Sequence, residues 1–477
     1  MTLVAGVDSS TQSTKVVLCQ AEDGTVVGAG SAPHPAGTEC DPQAWWAALQ
    51  QAGTGLLDRA AAIAVAGQQH GMVVLDAGGA VIRPALCWND LRSSDAAAEL
   101  VAEFGGARWW AEQTGSVPLA SFTVSKLRWL AEHEPANARR VSTVMLPHDW
   151  LTWRLGAAEP VTDRGDASGT GYFATSASRW LPDVAAAALG HEPGLPRVAR
   201  PSEVVGETAQ GAALAAGTGD NMGAALGLGL TPGEVAVSVG TSGTAFAVSG
   251  VPAADATGAV AGFADATGRF LPLVCTLNAA LVLSAVATMT GTDLAGLSQR
   301  ALAAEPGAGG VTLLPYFDGE RTPDRPLATG VMAGLTTRNA TVQNLARAAV
   351  EAVVASLADA TDLLTGHGVE LNRVLLIGGG ARSEAVRRLA PGIFGQEVSA
   401  PPAQEYVALG AARQAAWALA GTAEPPAWPR QADETYSGAP QPQLRERYAA
   451  LRDATVPVDA RVPRSRAGDD PAGRRAT

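Results

Sequence analysis

Lysine is almost absent from this chain: among 34 basic residues, only Lys15 and Lys126 are lysines. The other cations are arginines, and 46 acidic residues outnumber them all, for a net charge of −12. No long basic stripe runs along the sequence, which argues against nucleic acid as a partner. Cysteine is scarce as well. Cys19, Cys40, Cys87 and Cys275 are scattered without a CxxC pair, which argues against structural zinc and points to a reducing cytoplasm. No apolar run reaches 18 residues, so no helix is expected to span a membrane. The opening MTLVAGVDSS has neither the basic region nor the cleavage site of a signal peptide. Charged residues make up 17% and hydrophobic residues 47% of 477 positions. That balance excludes a disordered or fibrous chain, and the length suggests two or three domains.

What is present is a theme stated twice. Residues 3–7 read as a buried strand ending at Asp8, followed by a polar turn and strands over 15–20 and 24–30. Helical spacing covers 42–59, and strands return at 61–66 and 73–75. Helices are predicted over 92–104, 123–133 and 148–155, with a strand at 141–146. Residues 234–239 open the theme again: a strand, the turn Gly240-Thr241-Ser242-Gly243, and a second strand over 244–249. Later come a helix over 277–289, a long helix over 340–366, a strand at 373–377 and helices over 383–389 and 405–420. This pattern predicts an α/β protein of two related βαβ-rich domains, 1–230 and 231–440. Residues 441–477 are assigned to a flexible tail, and 461–477 in particular lack apolar periodicity.

Five short segments have residues suited to chemistry. Asp8-Ser9-Ser10-Thr11 places a carboxylate and hydroxyls at a strand end, where backbone N–H groups can cradle phosphate and the acid can face Mg²⁺. Gly240-Thr241 repeats the arrangement in the second half. Gly378-Gly379-Gly380-Ala381 joins a strand to a helix and lets a ring or phosphate approach the backbone. Gly219-Asp220-Asn221 supplies a base and an amide at a strand–helix junction, although Asp and Asn are also ordinary N-caps. Gly67-Gln68-Gln69-His70-Gly71, followed by Trp88-Asn89-Asp90, offers the amides, imidazole and indole that suit a polyhydroxylated ligand. Each alone is also a plain turn; together they favour a phosphate clamp next to a sugar site. Competing motifs fail. No GxxxxGK[ST] or HExxH occurs, and Met222 and Pro232 stand where GxGxxG needs its third glycine.

Two extended patterns identify a family resemblance. Ser121-Phe122-Thr123, Lys126-Leu127, Trp129-Leu130 and Glu132-His133 form the first; Gly330, Met332, Gly334-Leu335, Asn344-Leu345 and Ala348-Ala349-Val350-Glu351 form the second. With the hairpins and the Gly-Asp-Asn junction, the chain resembles the FGGY carbohydrate kinases over about residues 3–420. Trp88-Asn89-Asp90, Leu146-Pro147-His148-Asp149 and Gly319-Glu320-Arg321-Thr322-Pro323 resemble the branch of that family that acts on xylulose, while Gln69 stands where that branch often has methionine.

The resemblance implies the actin–hexokinase–sugar kinase ATPase fold, with two domains flanking a cleft. It implies phosphorylation of D-xylulose to D-xylulose 5-phosphate by Mg²⁺ and ATP. By the same resemblance Asp220 is the general base, and Asp8 with Asp220 places the metal. Thr11, Gly240 and Thr241 contact phosphates, and Gly379, Gly380 and Ala381 border the adenosine. Gln69, His70, Asp220 and Asn221 contact the sugar. Ribulose, gluconate or glycerol is the alternative acceptor. A non-catalytic sugar-binding protein is disfavoured, because Asp8 and Asp220 are both present. The expected partners are the sugar and ATP, with no nucleic acid or membrane; a homodimer is the assembly considered.

Overall fold

The computed structural model describes residues 1–459 of the chain. Two seven-stranded sheets organise it. The first contains Leu3–Ser9 (β1), Ser13–Gln20 (β2), Val26–Pro33 (β3), Ala62–Gly67 (β4), Val204–Glu207 (β5), Ala213–Ala215 (β6) and Thr218–Gly219 (β7). Its order is β5-β6-β4-β1-β2-β3, with β7 also pairing β4. The second contains Glu234–Val239 (β8), Gly243–Ala247 (β9), Ala261–Ala264 (β10), Phe270–Thr276 (β11), Arg373–Ile377 (β12), Val398–Ala400 (β13) and Glu434–Tyr436 (β14), in the order β10-β11-β9-β8-β12-β13-β14. In each sheet an antiparallel hairpin, β1–β2 or β8–β9, lies beside a parallel neighbour, β4 or β12. The repeat anticipated from the two strand–turn–strand openings is therefore a repeat of sheet topology.

The helices that matter to the site are Pro42–Ala52 (α1), Thr123–His133 (α2), Pro147–Leu155 (α3), the single turn Arg164–Ala167 (α4), Asp220–Leu228 (α5), Ala280–Met289 (α6), Leu294–Ala303 (α7), Val342–Gly366 (α8), Glu384–Phe394 (α9), Tyr406–Ala420 (α10) and Pro442–Asp459 (α11). Among the described residues no single helix is long and apolar enough to cross a membrane. Helix α8 forms the spine of the second half, with most residues from Ala346 to Leu364 buried against β9, β11, α6 and α7.

The two halves share a core as well as a cleft. One buried cluster runs from Phe122, Leu127 and Leu130 through Met222 and Leu226 of α5 to Phe246, Phe263 and Leu273 of the second sheet. Helix α10 follows the second half in sequence but packs on the first sheet, where its alanines meet Val4, Val17 and Ala64. The approach is close because glycines face one another. A Cβ on Gly6 of β1 would stand 1.9 Å from the Ala408 carbonyl oxygen, and one on Gly410 would stand 1.8 Å from that of Gly223 on α5.

The structure corrects the expected tail. Residues 442–459 form α11, in which Leu444 and Tyr448 are buried in the second-half core. Arg445 pairs with Asp359 at 2.7 Å and Asp362 at 2.6 Å. The apolar positions Leu444, Tyr448 and Leu451 keep helical spacing, but intervening arginines masked it. The expectation of disorder over 461–477 lies outside the described residues.

Gly410→Ala tests the close seam. Forced separation of α5 and α10 should cost about 1–3 kcal/mol or more and lower the melting temperature. Gly366→Ala on α8 has nothing within 4 Å of the added carbon. It should be neutral or slightly stabilising, since alanine is the better helix former. Thermal melts of the two variants beside the parent check this.

Candidate functional site

Three parallel strands of the first sheet end side by side. Asp8 of β1 and Thr218 of β7 both lie opposite Ala66 of β4; one step on, Ser9 and Gly219 both lie opposite Gly67. Ligands of open α/β sheets gather beyond such carboxyl ends. The chain leaves β7 directly into α5, which puts Asp220 and Asn221 at its first turn. It leaves β4 into Gln68, Gln69 and His70. Residues far apart in sequence thus converge because their strands are neighbours.

The local hydrogen bonds assign a direction to each polar group. Asp220 Oδ1 accepts from the Asn221 backbone N–H at 2.8 Å and from Asn221 Nδ2 at 2.9 Å, which leaves Oδ2 free. Asn221 Nδ2 also donates to Gln69 Oε1 at 2.9 Å, so Gln69 presents its NH₂ as an unused donor. Ser9 Oγ and both amide atoms of Gln68 are likewise buried without a partner. Buried polar groups are normally paired, and this concentration of unpaired ones marks a place made for a hydroxylated ligand. His70 donates from Nδ1 to the Gly169 carbonyl, 2.6 Å away. Burial pushes its pKa down to about 3, so the ring is neutral.

Two carboxyl groups share this mouth. Burial raises Asp220 to a pKa of about 7, and the nearby Asp8 and Asp166 carboxylates add to the shift. Burial raises Asp8 to about 6, opposed by the Ser10 hydroxyl and the Lys15 ammonium. Lys15 lies across the hairpin from Asp8 and pairs with Glu405 at 2.6 Å. In the sequence only its rarity, as one of two lysines, and its place at a predicted strand start single it out. Among the described residues no group of three or more metal-ligating side chains occurs. A pair of carboxylates nevertheless fits Mg²⁺, which keeps several waters and takes one or two acids together with phosphate oxygens.

Behind the strands lies a charged group, in which His148 and Asp149 of the Leu146–Asp149 motif meet Asp166. His148, at the start of α3, is buried 2.7 Å from Asp166 and 3.2 Å from Asp149. Burial opposes its charge, but the surrounding carboxylates outweigh burial and raise its pKa to about 9. A Cβ on Gly217 would come within 2.5 Å of the His148 ring, so the imidazole lies flush against the strand end that leads to Asp220.

In the second half, Gly240 and Thr241 follow β8, and the Gly378–Gly380 run follows the parallel neighbour β12. Gly380 is required: a Cβ there would sit 2.5 Å from Val239 Cγ1. Gly379 has open space around it. Gly240, Thr241, Gly379 and Gly380 line one cavity of about 840 Å³, closed on its far side by Leu283 of α6 and Leu297 of α7. An apolar pocket edged by a few polar groups suits a flat heterocycle and its ribose. Ala381 does not line this cavity; its methyl packs in the core. Helix α7 was missed in the sequence, although Asp293 caps it by accepting from Gly296 N–H at 2.8 Å and is an ordinary helix-start signal. In the first half, Thr11 Oγ1 accepts from the Trp88 indole N–H at 2.7 Å and keeps its own proton to donate.

Relatives confirm what kind of protein carries this site. Residues 3–229 match the FGGY family of carbohydrate kinases, N-terminal domain, and residues 235–419 match its C-terminal domain. A protein named xylulose kinase from Streptomyces coelicolor is 50% identical over 436 residues, 88% of each chain. Another of that name, from Streptomyces rubiginosus, is 48% identical over 457 residues, covering 91% of this chain and 92% of that one. The crystal structure of xylulose kinase from Bifidobacterium adolescentis superimposes with a TM-score of 0.88 at 45% identity, covering 94% of this chain and 99% of that one. Two matched domains, the repeated sheets and the shared mouth agree: the chain belongs to the FGGY family of carbohydrate kinases.

Proposed function

We propose that the protein transfers the terminal phosphoryl group of ATP to the C5 hydroxyl of D-xylulose, giving D-xylulose 5-phosphate. The observation that carries this reading is the free Oδ2 of Asp220, joined through Asn221 to Gln69, whose amide donor is unused. High identity to proteins named xylulose kinase supports the choice of sugar.

Asp220 acts as the general base. Its Oδ1 is held by Asn221, so Oδ2 takes the hydroxyl proton as the oxygen attacks phosphorus. Burial raises the proton affinity of Asp220 and the neighbouring Asp8 and Asp166 carboxylates add to it, which brings its pKa to about 7. Gln69 donates to one sugar hydroxyl and His70 accepts from another. Asp8 and Asp220 are the residues that would hold Mg²⁺, which when bound neutralises charge on phosphate oxygens. The Thr11 and Gly240–Thr241 turns bind phosphates with hydroxyl and backbone donors. Gly379 and Gly380 admit the adenosine to the cavity against α7. Water is a rival nucleophile, so the two halves must approach around sugar and nucleotide before transfer is efficient. The buried thiols Cys19, Cys40 and Cys87 suit a reducing, cytoplasmic setting.

Asp220→Asn should lower turnover ~10²–10⁴-fold and leave xylulose affinity within a few-fold; coupled ADP release and calorimetry measure the two separately. Because the Asp220 pKa is raised to about 7, its base form is lost as pH falls through that value. The kcat/KM for sugar should therefore fall on the acid side of neutrality and be flat above it, and a rate profile from pH 5 to 9 checks this. Asp8→Ala should raise the KM for Mg²⁺–ATP far more than that for sugar, as read from ATP titrations at several Mg²⁺ concentrations. A panel of xylulose, ribulose, gluconate and glycerol tests the acceptor, and preference for another sugar would overturn the xylulose assignment.

A further inference from the structure

The His70 ring is held on more sides than a surface ligand-binding side chain requires. Its backbone has φ +67°, a left-handed conformation uncommon outside glycine, and its carbonyl accepts from Thr123 Oγ1 at 3.1 Å. The imidazole stacks on Phe122 at 4.7 Å and leans on Phe263 at 5.6 Å. Its Nδ1 meets the Gly169 carbonyl, and a Cβ on Gly169 would stand 2.8 Å from that nitrogen and 2.9 Å from Cε1. A carbonyl can only accept, so Nδ1 carries the proton, and the neutral ring then offers Nε2 solely as an acceptor.

These contacts come from both halves. Phe122 follows Ala120 and Ser121, whose carbonyls are tied by the buried Lys126 ammonium. Phe263 belongs to β10 of the second sheet. The next residue of β10, Ala264, donates its N–H to Ser168 Oγ at 3.0 Å, and Ser168 precedes Gly169. Strand β10 therefore grips His70 twice: through the Phe263 ring, and through the loop that supplies the Gly169 carbonyl.

We propose that Gly169 and Phe263 are positioning residues for sugar selection, which hold His70 in one tautomer and one ring orientation so that Nε2 reads a single donating hydroxyl. The inference rests on the reading that His70 contacts the sugar. Through β10 it ties the shape of the sugar pocket to the placement of the half that carries the nucleotide cavity.

Gly169→Ala and Phe263→Leu should each raise the sugar KM roughly 3- to 10-fold, the scale of one weakened hydrogen bond. The KM for ATP should stay within twofold, and the ranking of xylulose over ribulose should narrow. ¹⁵N-edited NMR of the parent should show, for the histidine whose signals disappear in His70→Asn, a protonated Nδ1 and a bare Nε2. If His70→Asn leaves the sugar KM unchanged, the underlying site reading fails. If His70→Asn raises it but Gly169→Ala and Phe263→Leu do not, the positioning claim fails while the site reading stands. Should either variant not fold, the parent spectrum still decides: a His70 resonance protonated at Nε2 overturns the proposal.

Discussion

The architecture depends on how closely backbones can approach around α10. Gly6, Gly227 and Gly410 leave no room for a side chain where β1, α5 and α10 meet, and Gly223 leaves little. That contact returns the chain from the second sheet to the first and seats the helix whose first residue is Asp220. The alanines of α10 serve the same purpose, presenting a smooth face to Val4, Ala64 and Ala66. Small residues are weak contributors of buried apolar area one by one. Their contribution here is distance, since a wider seam would move Asp220 away from the strand ends that carry Asp8 and Gln69.

On that frame the electrostatics follow from burial. Burial raises the pKa of both Asp8 and Asp220, and the Asp8 and Asp166 carboxylates further disfavour charge on Asp220. Lys15 answers Asp8 from the same hairpin, and His148 answers Asp149 and Asp166 from behind the sheet. A site of this kind is poised to receive positive charge and to accept a proton near neutral pH, as phosphoryl transfer to a hydroxyl requires. The shared core through Phe122, Met222 and Phe263 makes the wall between the two halves a packed one.

Much of this was legible in the residues, for physical reasons that can be named. Strand Arg373–Ile377 carries a continuous apolar run and helix Thr123–His133 has an apolar face, and both have the predicted bounds. Asp8, Gln69 and Asp220 could be singled out because polar residues at the ends of buried strands have little packing reason to be there. Helix α7 escaped because its capping aspartate lies in a polar stretch; α11 escaped because arginines interrupt its apolar face. The roles of Lys15, His148 and Asp166 escaped for another reason. Their meaning lies in neighbours 18 to 390 positions away or across a sheet, and no local pattern reports such proximity. The departure of α10 to the first sheet is likewise invisible in periodicity, which says that a helix has a buried face without saying what covers it.

The scarcity of lysine has a practical corollary. Lys126 is sealed in the interior, with its ammonium bound to main-chain carbonyls. Lys15 retains 34% of its side-chain exposure, beside Asp8 and the turn that holds Thr11. Amine-directed reagents therefore meet one accessible side chain in the folded protein, and it stands at the rim of the functional mouth. A fluorophore or cross-linker on Lys15 would sit beside Asp8, with the exposed amine of Met1 the other group that such reagents meet.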